Sequence, residues 1–498
     1  MLLAAAGVAL AIVLGYSHIT SPFNRFTIIR LPYRARFLNA VIEARNRTDQ
    51  LRVRQQWWWR AFAIVKCGIH ILHTRYISNP GSSGASVETI VQDIHALRFN
   101  PDRLLVISGD HFNGLFVRNL GVFYYPLIDP NLPSTNADWE NRQLVYLQSV
   151  AYGLGVFSKY RVPTTTIVST SPYGATCVNF YAYPSDTVYG LLYALATLIG
   201  HEASWKLYGY SAAKPHRPAT KLAALALLAE SVDTLRDLYA HYRTTVFNEA
   251  SGLVRTDVHL SGAKDITRRT CAFYDNVVFW KTTQLAMALE LIPHDEAFLT
   301  QLKRTILDNF WYEPGGYFLE DLSPEGIKRH YYSSDWLAVL FTGFLSVDDP
   351  AERPYFERSI QYLQHQRIDR PFGVRYQPDT RASRQFLIVR LSVASYGGDA
   401  IWSFWGMEYI KCLLLLHRAT GSLTYLKTAD AQIASYRAAI LKHSGFPEVY
   451  NDQGNPLQTP LYRSIRQTGW VVGFEQVLIM RQCLAGSAGS DQATDTST

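Results

Sequence analysis

The chain has 498 residues, of which 48% are hydrophobic, and 48 Lys and Arg against 41 Asp and Glu give it a formal net charge of +7. The positive charge is spread along the chain, mostly as arginine, and no basic block with interleaved aromatic residues appears, which excludes a recognisable nucleic-acid-binding segment. Five cysteines at wide spacings, with no CxxC pair and no Cys/His cluster, predict neither a disulfide framework nor a zinc site.

The chain begins with an uncharged apolar run, MLLAAAGVALAIVLGY. Residues 1–24 are interpreted as a membrane anchor or signal segment, with an uncleaved anchor favoured, because no basic residue precedes the run and no small-residue cleavage site follows it before Arg25. Arg25, Arg30 and Arg34 then follow, and the positive-inside rule places this flank on the cytoplasmic side. The sequence therefore predicts membrane association through a single N-terminal segment.

Residues 25–84 form a basic, Trp-rich N-terminal segment. In QQWWWRAFAIVKCGIHIL, at 55–72, three tryptophans precede an apolar stretch that Arg60 and Lys66 interrupt. An interfacial helix has this composition, and so does the first core helix of a globular domain, which we favour.

Helix-length apolar patterns recur over residues 85–485 without a low-complexity linker. In QLVYLQSVAYGLGVF, at 143–157, the apolar residues at 144, 147, 151, 154 and 157 share one face. Similar patterns begin near residues 186, 220, 275, 356, 400, 423 and 465, whereas the strand-like runs GLVRTDVHL and GGYFLED are short. Residues 486–498 are interpreted as a disordered tail.

About a dozen helices joined by alternating short and long loops are typical of an (α/α)6 toroid. The sequence thus predicts an all-α domain with short β-hairpins in its loops. A helical solenoid would contain the same helices, but the long loops are rich in Gly, Asp, Tyr and Trp, which favours the toroid.

Four of these long loops carry motifs that resemble those of trehalases, processing α-glucosidases and glucoamylase-like enzymes. In chain order they are SGDHFNGLFVRN (108–119), SGAKDITRR (261–269), ASYGGDAIWSFW (394–405) and FPEVYNDQGNPLQ (446–458), the last followed by QTGW. Each motif is weak alone, but their order over roughly residues 100 to 475 is that of the family.

The resemblance implies an (α/α)6-barrel glycoside hydrolase, exo-acting and inverting, that cleaves an α-linked glycoside without a cofactor or metal. Inverting hydrolysis needs one carboxylic acid on the leaving oxygen and one carboxylate that activates water from the opposite face of the sugar. The resemblance makes Glu448 the general base and Asp265 the general acid. Because Lys264 occupies the family's acid position in an ungapped alignment, Asp275 and Asp257 stay open as alternatives.

Asp275 stands at the start of a predicted helix, where N-capping is an equal possibility. The implied substrate contacts are Asp110, His111, Arg118, Asn119, Trp280, Tyr396, Asp399, Trp402 and Trp470. Asn119 replaces an aspartate of the family. His111 replaces an arginine of trehalases, which argues against trehalose as the substrate.

Other functions are compatible with the same motifs. A membrane-tethered glycan-binding protein would keep the scaffold without turnover, and a glycoside phosphorylase would use phosphate, for which Arg268 and Arg269 are candidates. A terpenoid cyclase is disfavoured because the acidic run that it needs is missing. A lyase remains a further alternative. A glycan-processing enzyme is often extracytoplasmic, in conflict with the positive-inside rule, so the membrane side stays open, as do the sugar, the linkage and the oligomeric state.

Overall fold

The computed structural model describes residues 27–31, 81–99, 114–122, 136–160, 166–171, 174–179, 185–205, 218–260, 263, 267–378 and 384–490. The predicted anchor at residues 1–24 and the Trp-rich stretch at 55–72 lie outside these ranges. Among the described helices, none has the length and hydropathy of a transmembrane span.

The described part of the chain is mostly helical. The helices, in order, are α1 Val87–Arg98, α2 Asn119–Val122, α3 Asn136–Tyr160, α4 Thr187–Ile199, α5 Glu202–Trp205, α6 Pro218–Val246, α7 Phe273–Ala288, α8 Glu296–Phe310, α9 Pro324–Arg329, α10 Ala338–Thr342, α11 Arg353–His365, α12 Leu387–Val393, α13 Ser403–Thr420, α14 Leu423–His443 and α15 Val471–Ser490. A 3-10 turn, Ser334–Leu337, leads into α10. The helices predicted from apolar periodicity are confirmed.

The strands are short and serve mainly to shape loops. They are β1 Thr27–Leu31, β2 Gly114–Leu115, β3 Thr166–Ser171, β4 Gly174–Asn179, β5 Phe247–Asn248, β6 Leu253–Val254, β7 Trp311–Tyr312, β8 Tyr317–Phe318, β9 Ile401–Trp402 and β10 Val449–Tyr450. The pairs β5–β6 and β7–β8 are two-stranded hairpins between helices, at the two runs that the sequence marked as strand-like.

The helices alternate between two layers. Neighbours along the inner layer are α2, α4, α7 and α10, followed by α13 and α15, while α3, α6, α8, α11, α14 and α1 lie outside them. Among the outer helices, α3 contacts α6, and α14 contacts α1, so the last outer helix meets the first. This alternation is the arrangement predicted for an (α/α)6 toroid.

Residue composition matches the layer of α4 and of α11. The inner helix α4, TVYGLLYALATLI, is apolar on all sides and buried from Thr187 to Leu198. The outer helix α11 buries only Phe356, Ser359, Ile360 and Leu363, which is one face of a helix with a period of 3.6 residues. A helix that is apolar all round must be enclosed by others, whereas an amphipathic helix can face water.

Glycines end several inner helices at the same end of the layer. Gly200, Gly343 and Gly421 follow α4, α10 and α13 in the left-handed conformation, with φ of 75°, 65° and 70°. Such residues cap the last turn of a helix with little strain. The N-termini of these helices therefore point to the opposite end, where the long loops meet.

A largely buried ion pair joins α15 to α1 and α3. Glu475 of α15 lies 2.7 Å from Nε2 of His95 in α1 and 3.6 Å from Nη1 of Arg142 in α3. Burial raises the pKa of Glu475, but the charges of His95 and Arg142 lower it by more. This contact ties the last inner helix to two outer helices of the N-terminal half.

Two features of the described residues lie near the boundaries that the sequence analysis drew. The segment 25–84 contributes strand Thr27–Leu31, which pairs with β4 in a four-stranded antiparallel sheet of order β1-β4-β3-β2. At the other end, α15 continues to Ser490, five residues into the stretch 486–498 that was expected to be disordered.

We predict that Glu475→Gln lowers the free energy of unfolding by about 2 kcal/mol, since it leaves His95 and Arg142 without their buried counter-charge. Urea unfolding followed by tryptophan fluorescence measures the loss. The matched control is Glu249→Gln, which breaks an ion pair of 2.8 Å with Arg243 at the surface and should cost under about 0.5 kcal/mol. Equal losses in the two variants would contradict a closing role for Glu475.

Candidate active site

Polar side chains gather at the N-terminal ends of the inner helices. Ser185 and Asp186 precede α4, while Tyr274 and Asp275 lie in the first turn of α7. The Ser185 hydroxyl donates to Oδ1 of Asp275 at 2.5 Å, and the Tyr274 hydroxyl donates to Oδ2 of Asp186 at 3.2 Å. Two inner helices are thus joined through their carboxyl groups.

Asp275 has the environment of a carboxylic acid that can hold its proton at neutral pH. The residue is 1% exposed, and burial raises its pKa to about 7 against the opposing charge of Arg269. The N-cap of α7 is Ala272, so Asp275 lies inside the helix and does not cap it through its side chain.

Arg269 carries the positive charge of this region. Its Nη1 lies 2.5 Å from Oδ2 of Asp335 and 3.9 Å from Oε1 of Glu320, with all three side chains buried. Within the described residues, Nε and Nη2 of Arg269 are buried without a hydrogen-bond acceptor. Because carboxylates enclose Arg269, its guanidinium is poorly placed to bind phosphate. The other candidate for phosphate binding, Arg268, has an exposed side chain.

A second arginine completes the charged cluster. Arg384 donates to both carboxylate oxygens of Asp321 at 2.8 Å and to Oε2 of Glu320 at 3.1 Å. Its guanidinium lies 4.8 Å from the ring centroid of Tyr331. Bidentate pairs of this kind fix both partners, so Arg384 ties the loop before α12 to the loop after β8.

Glu448 is held rigidly beside a different inner helix. Its N–H donates to the Ile465 carbonyl at 2.9 Å, and its carbonyl accepts from the Ser403 N–H at 3.0 Å, at the start of α13. The Tyr462 hydroxyl donates to Oε2 of Glu448 at 3.3 Å, and the residue is 5% exposed. The backbone contacts and the phenol therefore fix where this carboxylate stands.

Aromatic rings connect the surroundings of the two carboxyl groups. The ring of Trp402 lies 5.4 Å from Tyr376, 4.6 Å from Tyr396 and 5.5 Å from Trp470. Tyr396 in turn lies 5.1 Å from Tyr462, the residue that contacts Glu448. We call these five residues the aromatic wall. On its other side, Tyr376 is close enough to Tyr274 to act on its pKa.

The structure brings other predicted residues to the same end of the inner layer. Asn119 is buried at the first position of α2, and the charge of Arg118 acts on the pKa of Tyr274. Asp399 lies in the loop before β9, where burial raises its pKa. Tyr396, Trp402 and Trp470, which were also predicted, belong to the aromatic wall.

Two predicted residues lie elsewhere. Asp257 has a side chain that is 65% exposed and paired with Arg255 at 2.6 Å, and hydrogen bonding from Arg255 lowers its pKa, which is unfavourable for a proton donor. Trp280 donates through Nε1 to the Leu299 carbonyl at 3.1 Å, between α7 and α8, so its indole belongs to interlayer packing.

Three predicted residues, Asp110, His111 and Asp265, lie outside the described residues, as does Lys264. The roles assigned to them stay predictions. Within the described ranges, no group of His, Cys, Asp or Glu side chains is arranged to hold a metal ion.

Several residues of this region were not selected from the sequence. Asp186 directly precedes an apolar helix, and Asp335 stands in the SSDW segment before α10, so both had a positional signal at a helix N-terminus. Tyr376 and Tyr462 had none, because each comes from an irregular loop that only the folded chain brings next to Trp402 or Glu448.

Comparisons with known proteins leave the family open. No protein-family model matches the chain, and no curated protein matches it. Similar solved structures include a D-mannose isomerase (TM-score 0.48, 9% identity, 80% of this chain and 97% of that one) and a sugar epimerase from a ruminal bacterium (0.46, 9%, 83% and 98%). A third is a metal-independent α-mannosidase from Streptococcus pneumoniae in complex with α-1,6-mannobiose (0.43, 13%, 79% and 93%).

We predict that Arg269→Met lowers the free energy of unfolding by about 3 kcal/mol or more, because it removes the positive charge paired with the buried Asp335 and leaves Glu320 with Arg384 alone. The control is the same substitution at the adjacent, exposed Arg268, which should change stability by less than about 0.5 kcal/mol. Chemical denaturation measures both. If Arg269→Met does not fold, Arg269→Lys, which keeps the charge, should fold with intermediate stability. A stable Arg269→Met variant would contradict the role given to this guanidinium.

Proposed function

We propose that the chain is a glycoside hydrolase, exo-acting and inverting, that cleaves an α-linked glycoside with Asp275 as general acid and Glu448 as general base. The observation that carries this proposal is that two buried carboxyl groups, those of Asp275 and Glu448, lie in different environments. Asp275 has a pKa raised to about 7 by burial, and Glu448 is held in place by Tyr462 at the other side of the aromatic wall.

Asp275 has the pKa that a proton donor to the leaving glycosidic oxygen needs. A general acid works best when its pKa lies near the operating pH, because it is then both protonated and able to give up the proton. The proton lost to the leaving group leaves a carboxylate, which the charge of Arg269 and the hydroxyl of Ser185 stabilise.

Glu448 is placed to activate water. In an inverting reaction the base removes a proton from the water that attacks the anomeric carbon on the face opposite to the leaving group. The Tyr462 hydroxyl donates to Oε2 at 3.3 Å, and this contact orients the carboxylate toward its role as base.

The aromatic wall supports a sugar substrate. Aromatic rings offer flat apolar faces with polar edges, which match the mixed apolar and hydroxyl surface of a pyranose. Asp399, Asn119 and Arg118 are hydrogen-bonding groups of the kind that bind hydroxyls. We infer that these groups bind the substrate hydroxyls while the rings contact the apolar faces of the sugar.

Asp265 is the alternative acid, in the motif that resembles trehalases. It comes two residues before Thr267, whose backbone pairs with Gln385 next to the charged cluster. The assignment of Asp275 therefore requires that Asp265 be tested in the same experiment.

The experiment is proton NMR of the product anomer on a panel of α-glucosides and α-mannosides, with and without phosphate, and with the free reducing sugars alone. We expect wild type to release a β-anomer in water, and Glu448→Gln and Asp275→Asn to lower kcat by at least about 100-fold. The purified variants should keep the wild-type unfolding midpoint within a few degrees, which separates chemistry from stability.

The other outcomes have distinct meanings. Activity that survives Asp275→Asn but not Asp265→Asn would move the acid to Asp265. Turnover only with phosphate would indicate a phosphorylase, and a changed free sugar without hydrolysis would indicate an isomerase or epimerase. Binding without any turnover would replace the hydrolase by a glycan-binding protein.

We further predict that kcat/KM falls as the pH rises through about 7, because the acid must be protonated and its pKa is raised to about 7. Ser185→Ala removes a hydrogen bond that favours the ionised form of Asp275, so it should move this alkaline limb to higher pH by up to about one unit. Ser149→Ala, at a buried serine of α3 that donates to the Val145 carbonyl, is the control and should leave the limb in place. An unmoved limb in Ser185→Ala would argue against Asp275.

A further inference from the structure

A cavity of about 560 Å³ lies at the end of the inner helices opposite to the candidate active site. The C-terminal turns of four inner helices bound it, through His201 after α4, Ala288 of α7, Gly343 after α10 and Arg418 of α13. Its volume is in the range of small-molecule sites. It shares no residue with the region around Asp275 and Glu448.

Lys281 lines this cavity from α7 with a side chain that is buried, the residue being 2% exposed. Its Nζ donates to the Ala203 carbonyl at 2.7 Å and to Oε1 of Gln284 at 2.7 Å. Both acceptors are neutral. A neutral amine has two N–H donors and one lone pair, so these two hydrogen bonds use both donors and leave the lone pair available.

The surroundings favour the neutral amine. Apolar side chains line the same cavity, among them Met287, Leu299, Leu340 and Leu415. Burial lowers the pKa of Lys281 to about 7. Roughly half of the amine is therefore unprotonated at neutral pH, against less than about a thousandth for an exposed lysine.

Charged groups at the rim select against an anionic ligand. The titratable and charged side chains that face the cavity are His201, Glu202, His294, Glu296, Asp348 and Arg418. Arg418 is paired with Asp348 at 2.7 Å, and His294 lies 3.8 Å from Glu296. Helix C-termini add negative potential. A neutral electrophile fits this cavity better than a phosphate or a carboxylate does.

We propose that Lys281 is a nucleophilic amine that forms a reversible imine with a small neutral aldehyde in this cavity, the open-chain form of a short aldose being the chemical class. The nitrogen lone pair attacks the carbonyl carbon and gives a carbinolamine, whose oxygen takes up a proton from the nitrogen. Loss of water then forms the C=N bond, so that one amine and one aldehyde give one imine and one water. No oxidant or reductant takes part in this step.

The test is reductive trapping on the full chain. The protein is incubated with glyceraldehyde and sodium cyanoborohydride, digested, and analysed by mass spectrometry for the rate of adduct formation at each lysine. We expect Lys281 to react at least about tenfold faster at pH 7 than the exposed Lys221 and Lys427, which serve as internal controls in the same digest. The rate at Lys281 should rise through about pH 7 and then level off, while the rates at the other two continue to rise.

Lys281→Arg is the matched variant, because arginine keeps a cation at this position and forms no imine under these conditions. It should lose the fast adduct and leave labelling of Lys221 unchanged. A rate at Lys281 that does not exceed the rates at the exposed lysines would overturn the proposal. The same labelling is repeated on Asp275→Asn, in which glycoside hydrolysis is expected to be lost. Fast labelling of Lys281 in this variant would separate imine formation from hydrolysis.

Discussion

The buried guanidinium of Arg269 is the interaction on which the candidate active site depends. Carboxyl groups from several loops, those of Asp335, Glu320 and Asp275, converge on the N-terminal ends of the inner helices, where water is excluded. Without a fixed positive charge, these groups would repel one another or take up protons. Arg269 forms ion pairs with Asp335 and Glu320, while its effect on the pKa of Asp275 is exceeded by the cost of burial.

The alternation of helices makes this convergence possible. An inner helix must be apolar over most of its length because it touches neighbours on all sides, so polar groups are tolerated mainly at its ends. At the N-terminal end, the helix dipole and unpaired N–H groups favour carboxylates. Ser185, Asp186 and Asp275 occupy such positions. The loop strands β9 and β10 then bring Glu448 next to the start of α13, and the aromatic wall spans the distance between the two groups.

The two ends of the inner layer offer different chemistry for the same physical reason. Helix N-termini stabilise negative charge, and helix C-termini disfavour it. The first end collects carboxyl groups and arginines, and the second encloses Lys281, whose amine donates to the neutral oxygens of Ala203 and Gln284. A lysine buried away from carboxylates loses its proton readily. Burial thus raises the pKa of an acid at one end and lowers that of an amine at the other.

The sequence by itself determined the helices of this protein, because apolar periodicity over ten or more residues leaves little choice of structure. It also marked Glu448 and Asp275, and it placed Trp402 and Trp470 in loops near helix starts. It did not determine which candidate acid is buried: Asp275, at the start of a predicted helix, and Asp257, in a strand-like run, were both open, yet Asp275 faces Arg269 and Ser185 while Asp257 pairs with Arg255 at the surface. Only the tertiary structure decided this, together with the contacts of Tyr376 and Tyr462 and the cavity at Lys281. Protonation states and ring contacts depend on neighbours that are distant in the chain, and a local sequence pattern does not specify those neighbours.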